Sequence, residues 1–196
     1  MKKASALSTV QIDVENGKRF NITYTDEKGE KQYPFILHTS ISGSIDRNLY
    51  ALLEREAIKI NQGKKPMLPL WLSPTQVRFI PVADEFVSDC EKFIDELNKI
   101  SLFYFIRSDI DDREESVSRK IRDAEKEWIP YIVVIGVKER KENTVSPRVR
   151  TSDLGQGDKP YTISQLHSLI LERVKDFPQQ KLPLALYLSK RPKFKG

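Results

Sequence analysis

The early part of the chain alternates more than it clusters. In "KRFNITYT" (18–25) the apolar residues Phe20, Ile22 and Tyr24 recur at a spacing of two, the period of a half-buried strand. "STVQIDV" (8–14) is rich in strand formers, and "QYPFILH" (32–38) follows the polar turn "DEKGEK" (26–31) around Gly29. The pattern predicts three strands, the second and third joined as a hairpin, with Pro34 marking an edge or a strand start. After "SGS" (42–44) the period changes. Ile45, Leu49, Leu52 and Leu53 fall at helical spacing, with Ser44 or Ser42 as the N-cap.

The segment "NQGKKPMLPLWLSPTQ" (61–76) holds three prolines and one glycine, and reads as a connector lying on the surface. Beyond it strands and helices alternate. Strands are predicted at 76–82, 102–108, 129–137 and 144–150, and helices at 85–99, 116–128 and 163–177. The first helix carries a stripe of Phe86, Cys90, Phe93, Ile94 and Leu97; the second carries Val117, Ile121, Ala124 and Trp128. The third carries Ile163, Leu166, Ile170, Val174 and Phe177, while His167 reads as a surface residue. "IPYIVVIGV" (129–137) is continuously apolar, as a strand covered on both faces should be. The order implies an α/β fold: an antiparallel β/α piece, then a domain with a mixed sheet flanked by helices. The basic end, with Lys190, Arg191, Lys193 and Lys195, reads as a solvated tail.

Composition narrows the classes. Of 196 residues, 39% are hydrophobic and 31% charged, which suits a globular chain. A net charge of +5 permits a polyanionic partner without requiring one. The single cysteine, Cys90, excludes an internal disulfide and a Cys-pair zinc site, and fits a reducing cytoplasm. No apolar run reaches the length of a membrane span. No Gly-rich phosphate loop, nucleophile elbow or carboxylate dyad stands out, so pattern alone names no reaction.

Particular words say more. "TVQID" (9–13), "ILHTSISGSIDR" (36–47), "LPLWLSPTQV" (68–77), "DDREESVSRKIRDAE" (111–125) and "IPYIVVIGVKE" (129–139) occur in the order and spacing of one family. Together they resemble the C-terminal part of the threonyl-tRNA synthetases, most of all the archaeal form. The resemblance implies that residues 1–60 are the last portion of a class II catalytic domain, cut inside that domain and carrying the third class-defining motif, "GSIDR". It implies a connector over 61–75, an anticodon-binding domain over 76–180 and a basic tail over 181–196. The parent would activate threonine with ATP, charge tRNA-Thr and act as a cytoplasmic homodimer. The rival readings are a non-catalytic tRNA-binding paralogue or accessory subunit, and an editing-type paralogue.

The resemblance also assigns residues. Arg47 becomes the motif-three arginine, stacked on the adenine and phosphates of ATP, with Ser44 and Thr9 beside it; a planar cation suits both tasks. Gln11 would reach the threonine substrate, and His38 would be one zinc ligand, the other two lying upstream. The piece alone is therefore expected to bind neither ATP nor zinc, and not to aminoacylate. Glu139 and Arg148 would read the anticodon, whose second and third positions in threonine tRNAs are G and U. A carboxylate accepts from guanine N–H groups, and an arginine donates to base carbonyls or phosphate. Arg113, Arg119, Lys120, Arg122 and Arg150 would contact phosphates, or else form a charged helix face, since Glu115 and Arg119 are an i,i+4 pair. Ser118 stands where the family often has glycine.

Overall fold

The computed structural model describes residues 6–192. Lys193 and Lys195 of the basic end lie outside the described residues. The chain divides into two units, with the boundary between Ile58 and Lys59.

The first unit is built on β1 (Thr9–Asp13), α1 (Asn16–Arg19), β2 (Tyr24–Thr25), β3 (Lys31–Gln32), β4 (Ile36–Ser40) and α2 (Ile45–Asn61). The predicted strand over 18–25 is mostly absent. The Asp13 carboxylate accepts the N–H groups of Glu15 and Asn16 at 3.0 and 2.9 Å, which turns the chain into α1 instead. Those same N–H groups, that of Asn16 foremost, pull the Asp13 pKa down to about 2. Gly17 is required there, because a Cβ would lie 2.7 Å from the Pro34 carbonyl oxygen.

The hairpin around Gly29 forms, but as β2 against β3 over only two residue pairs. The rest of the third predicted strand pairs elsewhere: β4 runs antiparallel to β1, with Gln11 opposite His38. Alternation reports a face and not a partner, so this pairing was not readable from period. Both faces of the ribbon stay open, with Val10, Ile12, Leu37 and Ile41 exposed.

The second unit carries a four-stranded sheet. Its elements are β5 (Val77–Pro81), α3 (Val87–Lys99), β6 (Ser108–Ile110), α4 (Val117–Lys126), β7 (Tyr131–Ile135), α5 (Val137–Glu142), β8 (Arg148–Val149) and α6 (Ile163–Val174). The strand order is β6-β5-β7-β8, with β5 parallel to both β6 and β7 and β8 antiparallel to β7. The expected mixed sheet is therefore present.

Strand alternation sorts the core onto two faces. Val77, Phe79, Tyr131, Val133 and Ile135 pack with Phe93 and Leu97 of α3 and Leu166 and Ile170 of α6. Ile80 and Ile132, one residue out of phase, pack with Ala124 of α4 and Ile129. Arg78, on that second face, is fully buried beside its parallel cross-strand neighbour Asp109. Its Nε and Nη2 each donate to the Asp109 carboxylate at 2.9 Å, and Nη2 also lies 2.8 Å from Glu127. Burial opposes the Arg78 charge, but Asp109 and Glu127 more than offset it, so its pKa is raised.

Several sequence expectations are corrected here. The strand placed at 102–108 begins only at Ser108, because the Ser101 hydroxyl accepts the N–H groups of Phe103 and Tyr104 and turns the chain; Leu102 and Phe103 are left exposed. Trp128 lies past the end of α4 with φ of 60°, in the left-handed region that stops a helix. The α6 helix ends at Val174, short of Phe177, whose ring stacks on Trp71. Helix α5 was not foreseen. The connector does not merely lie on the surface: Leu70 joins the core, and Ser73, Thr75 and Gln76 are buried.

The end of the described chain is not a free solvated tail either. Ile110 donates to the Leu186 carbonyl at 2.9 Å and bridges Tyr187 in parallel, extending the sheet beyond β6. Asp112 accepts the Ser189 N–H and hydroxyl, and Arg191 lies 2.9 Å from Asp109.

Candidate nucleic-acid interface

The candidate anticodon residues occupy two places on the second unit. Glu139 lies in the first turn of α5, just past the carboxyl end of β7. Its Oε2 accepts the Gly136 N–H at 3.1 Å, a bond that starts the helix and fixes the carboxylate while leaving the other oxygen available. Val82, which donates to the Ile135 carbonyl at 3.0 Å, brings the end of β5 alongside. Crevices at the carboxyl ends of parallel strands are where such sheets bind ligands. Arg140 holds α5 in place: it pairs with Asp89 at 2.7 Å, and its guanidinium carbon lies 4.1 Å from the Phe86 ring centroid.

Arg148 sits on β8 opposite Ile132, toward the other end of β7. Four residue steps lead from Ile132 to Gly136, about 13 Å at the usual strand rise. Glu139 and Arg148 therefore join the sheet at different points along β7. Arg148 is exposed and lines a small recess with Lys65, Glu125 and Arg150.

The other predicted cations separate by environment. Arg113 is held by Asp111 through two bonds of 2.7 Å and by Asp123 at 3.3 Å, and these carboxylates raise its pKa, Asp111 most. Its charge is already answered within the protein. Arg150 donates to the carbonyls of Pro66 and Glu125, so it ties loops together. Arg119 pairs with Glu115 at 3.3 Å and Lys120 is buried. Arg122 remains exposed, as does Ser118.

In the first unit Gln11 and His38 are cross-strand neighbours, and the His38 Nε2 lies 3.4 Å from the Asp13 carboxylate. Thr9 sits on the same strand, opposite Ser40. The Ser44 hydroxyl caps α2 by accepting the Arg47 N–H at 3.3 Å, and Arg47 Nη1 donates to the Ala6 carbonyl at 3.1 Å. All five side chains are exposed. Cys90 is buried, and burial pushes its thiol up to about 12. Among the described residues no three or more His, Cys, Asp or Glu side chains gather into a metal-binding group. Sequence reasoning missed Lys65 and Arg140; Lys65 stood in a proline-rich stretch that gave no periodic signal.

The second unit is thus a mixed sheet covered on both faces, with an acid just past the carboxyl end of β7 and an exposed arginine on its edge strand. The family described as anticodon binding domain matches residues 76–173, and the chain belongs to it. Along its whole length the chain is 51% identical to threonine-tRNA ligase of Pyrococcus horikoshii, of which it spans 30%. It is 50% identical to the Pyrococcus furiosus enzyme, again over 30% of that protein. At 47% identity over 99% of this chain, threonine-tRNA ligase of Methanosarcina mazei is matched over the same 30%. The RNA binding domain of threonyl-tRNA synthetase from Cryptosporidium parvum Iowa II superposes with a TM-score of 0.64 at 26% identity, over 88% of this chain and 40% of that one. The chain thus spans about 30% of the length of the curated relatives it matches. No helix among the described residues is long and apolar enough to cross a membrane.

Proposed function

We propose that this chain is the anticodon-reading part of a threonine-tRNA ligase whose whole form activates threonine with ATP and esterifies it to tRNA-Thr. The observation that carries the reading is the match to threonine-tRNA ligases along the entire chain, joined to an anticodon-binding fold in the second unit. Glu139 is the base reader. Its carboxylate, anchored by the Gly136 N–H, is preorganised to accept from the N1–H and N2–H of a splayed guanine. Arg148 and Arg122 meet the RNA from the exposed sheet edge and from α4.

Residues 1–60 are the end of the parent's catalytic domain, 61–75 the connector, 76–180 the anticodon-binding domain and 181–196 a basic terminal segment. Arg47, at the start of α2, presents an exposed guanidinium that suits the adenine ring and phosphates of ATP, with Ser44 and Thr9 lining the same end. Gln11 faces threonine. His38, whose Nε2 lies 3.4 Å from the Asp13 carboxylate, would be one zinc ligand of a three-ligand set finished by the parent. The parent is read as a cytoplasmic homodimer.

The test is filter binding of threonine-tRNA transcript against one carrying a swapped second anticodon nucleotide. Glu139→Gln keeps an acceptor for Gly136, so it should leave the melting temperature unchanged. It should nonetheless erase most of the preference for the cognate transcript, worth about 1–3 kcal/mol for one good base contact. A preference that survives the substitution would remove Glu139 from the reading.

A further inference from the structure

We infer that the second unit holds a separate small-molecule site, in which Arg107 pairs with the carboxylate of a compact ligand that has a flat apolar body. Arg107 comes just before β6 and lines a cavity of about 350 Å³ with Trp71, Leu72, Pro74, Pro178 and Pro183. That volume falls within the range of small-ligand pockets, roughly 300–1,000 Å³. Trp71 and Pro74 precede β5, so the cavity lies at the amino ends of β5 and β6. Glu139 lies past the carboxyl end of β7, which runs parallel to β5, and so belongs to the other end of the sheet. The five residues of β5 alone set those ends about 17 Å apart.

The charge on Arg107 asks for an anion. The residue is 5% exposed. Its Nε donates to the Ser73 carbonyl at 3.0 Å, Nη2 to that of Trp71 at 2.8 Å and Nη1 to that of Gln180 at 3.3 Å. These acceptors are neutral. Burial lowers the Arg107 pKa with no carboxylate to oppose it, whereas carboxylates raise those of Arg78, Arg113 and Arg140. A buried charge is ordinarily paired. Three of the five N–H donors are engaged, which leaves one on each Nη, and a carboxylate has two oxygens to accept from them. Arg107 is the one charged residue of the lining, so a single negative charge balances it; a phosphate dianion would leave charge over. The rest of the wall selects the body of the ligand. The Trp71 ring lies parallel to that of Phe177, with centroids 5.1 Å apart and 7° between planes, and together with the prolines it presents a flat apolar surface. The same three carbonyl bonds tie the connector to the segment after α6, so the walls stand before a ligand arrives.

The experiment titrates the full chain with benzoate, with its neutral isostere benzamide and with phenyl phosphate, following the arginine Nε–H and tryptophan indole N–H resonances. The chain has two tryptophans, and Trp128 is not part of this cavity. Benzoate should move the Arg107 and Trp71 signals to saturation and leave that of Trp128 in place. Benzamide should bind roughly tenfold more weakly, the difference between a charge-assisted and a neutral hydrogen bond. Phenyl phosphate should also bind more weakly than benzoate. Arg107→Gln should bring benzoate down to the affinity of benzamide. Benzoate that moves neither signal, or that binds no better than benzamide, overturns the site. That comparison needs no variant, so it decides even where Arg107→Gln fails to fold. Tighter binding of phenyl phosphate overturns the carboxylate assignment.

Discussion

His167 shows how one side chain couples packing to pH. It lies on the inner face of α6, 2% exposed, with Nε2 lacking a hydrogen-bond partner. Desolvation disfavours the imidazolium, so the folded pKa falls below the ordinary 6.5. The unfolded chain then takes up a proton near pH 6.5 while the folded chain does not. Stability present above that pH is lost as pH falls below it, until the folded state protonates as well. Urea midpoints should therefore drop below pH 6.5, and His167→Leu should flatten that part of the profile. A profile of the same slope in the variant would mean that other groups cause the loss. The surface placement expected from sequence followed the residue's polarity. Its spacing told otherwise, since position 167 lies four after Ile163 and three before Ile170, on the buried stripe. Arg113 and Arg150 show the same limit: composition marks a cation, but only tertiary contacts reveal which of its donors are already engaged.

At the level of elements, legibility followed burial. The apolar period located β5, α3, α4, β7 and α6 closely, because each sends a face into one of the two core clusters. It failed where hydrogen bonds, and not apolar packing, decide the path. Helix α5 reads "VKERKE" and buries no residue, yet it carries the proposed base reader and is started by a glutamate-to-backbone bond. The docked terminal segment is another such case. Its Tyr187 extends the sheet, and its Ser189 is held by Asp112 through both N–H and hydroxyl. Asp112→Ala should cost about 1–2 kcal/mol by removing these two bonds. Hydrogen exchange should then quicken at Ile110, whose N–H reaches Leu186, while Phe79 and Val133 in the central strands hold their protection. Equal acceleration at all three would point to global destabilisation and not to a loosened edge.

Across the whole molecule the two units differ in how they are stabilised. Both core clusters are drawn from the second unit, with Leu70 the first buried apolar residue among those described. In the first unit Phe35 is 73% exposed and Ile41 83%, and the β1–β4 ribbon is an isolated pair of strands. Two strands without a covered apolar face are marginal in water. Limited proteolysis should accordingly cut within residues 6–58 first and leave a resistant species beginning near Lys59. That species should keep a cooperative urea transition with almost the midpoint of the parent chain, since no core residue has been removed. It should also bind less of a hydrophobic dye than the full chain, because Val10, Ile12, Phe35 and Leu37 leave with the digested part. Early cleavage inside β5 or β7, or a first unit as resistant as the second, would show that the ribbon is stabilised by something other than the contacts seen here.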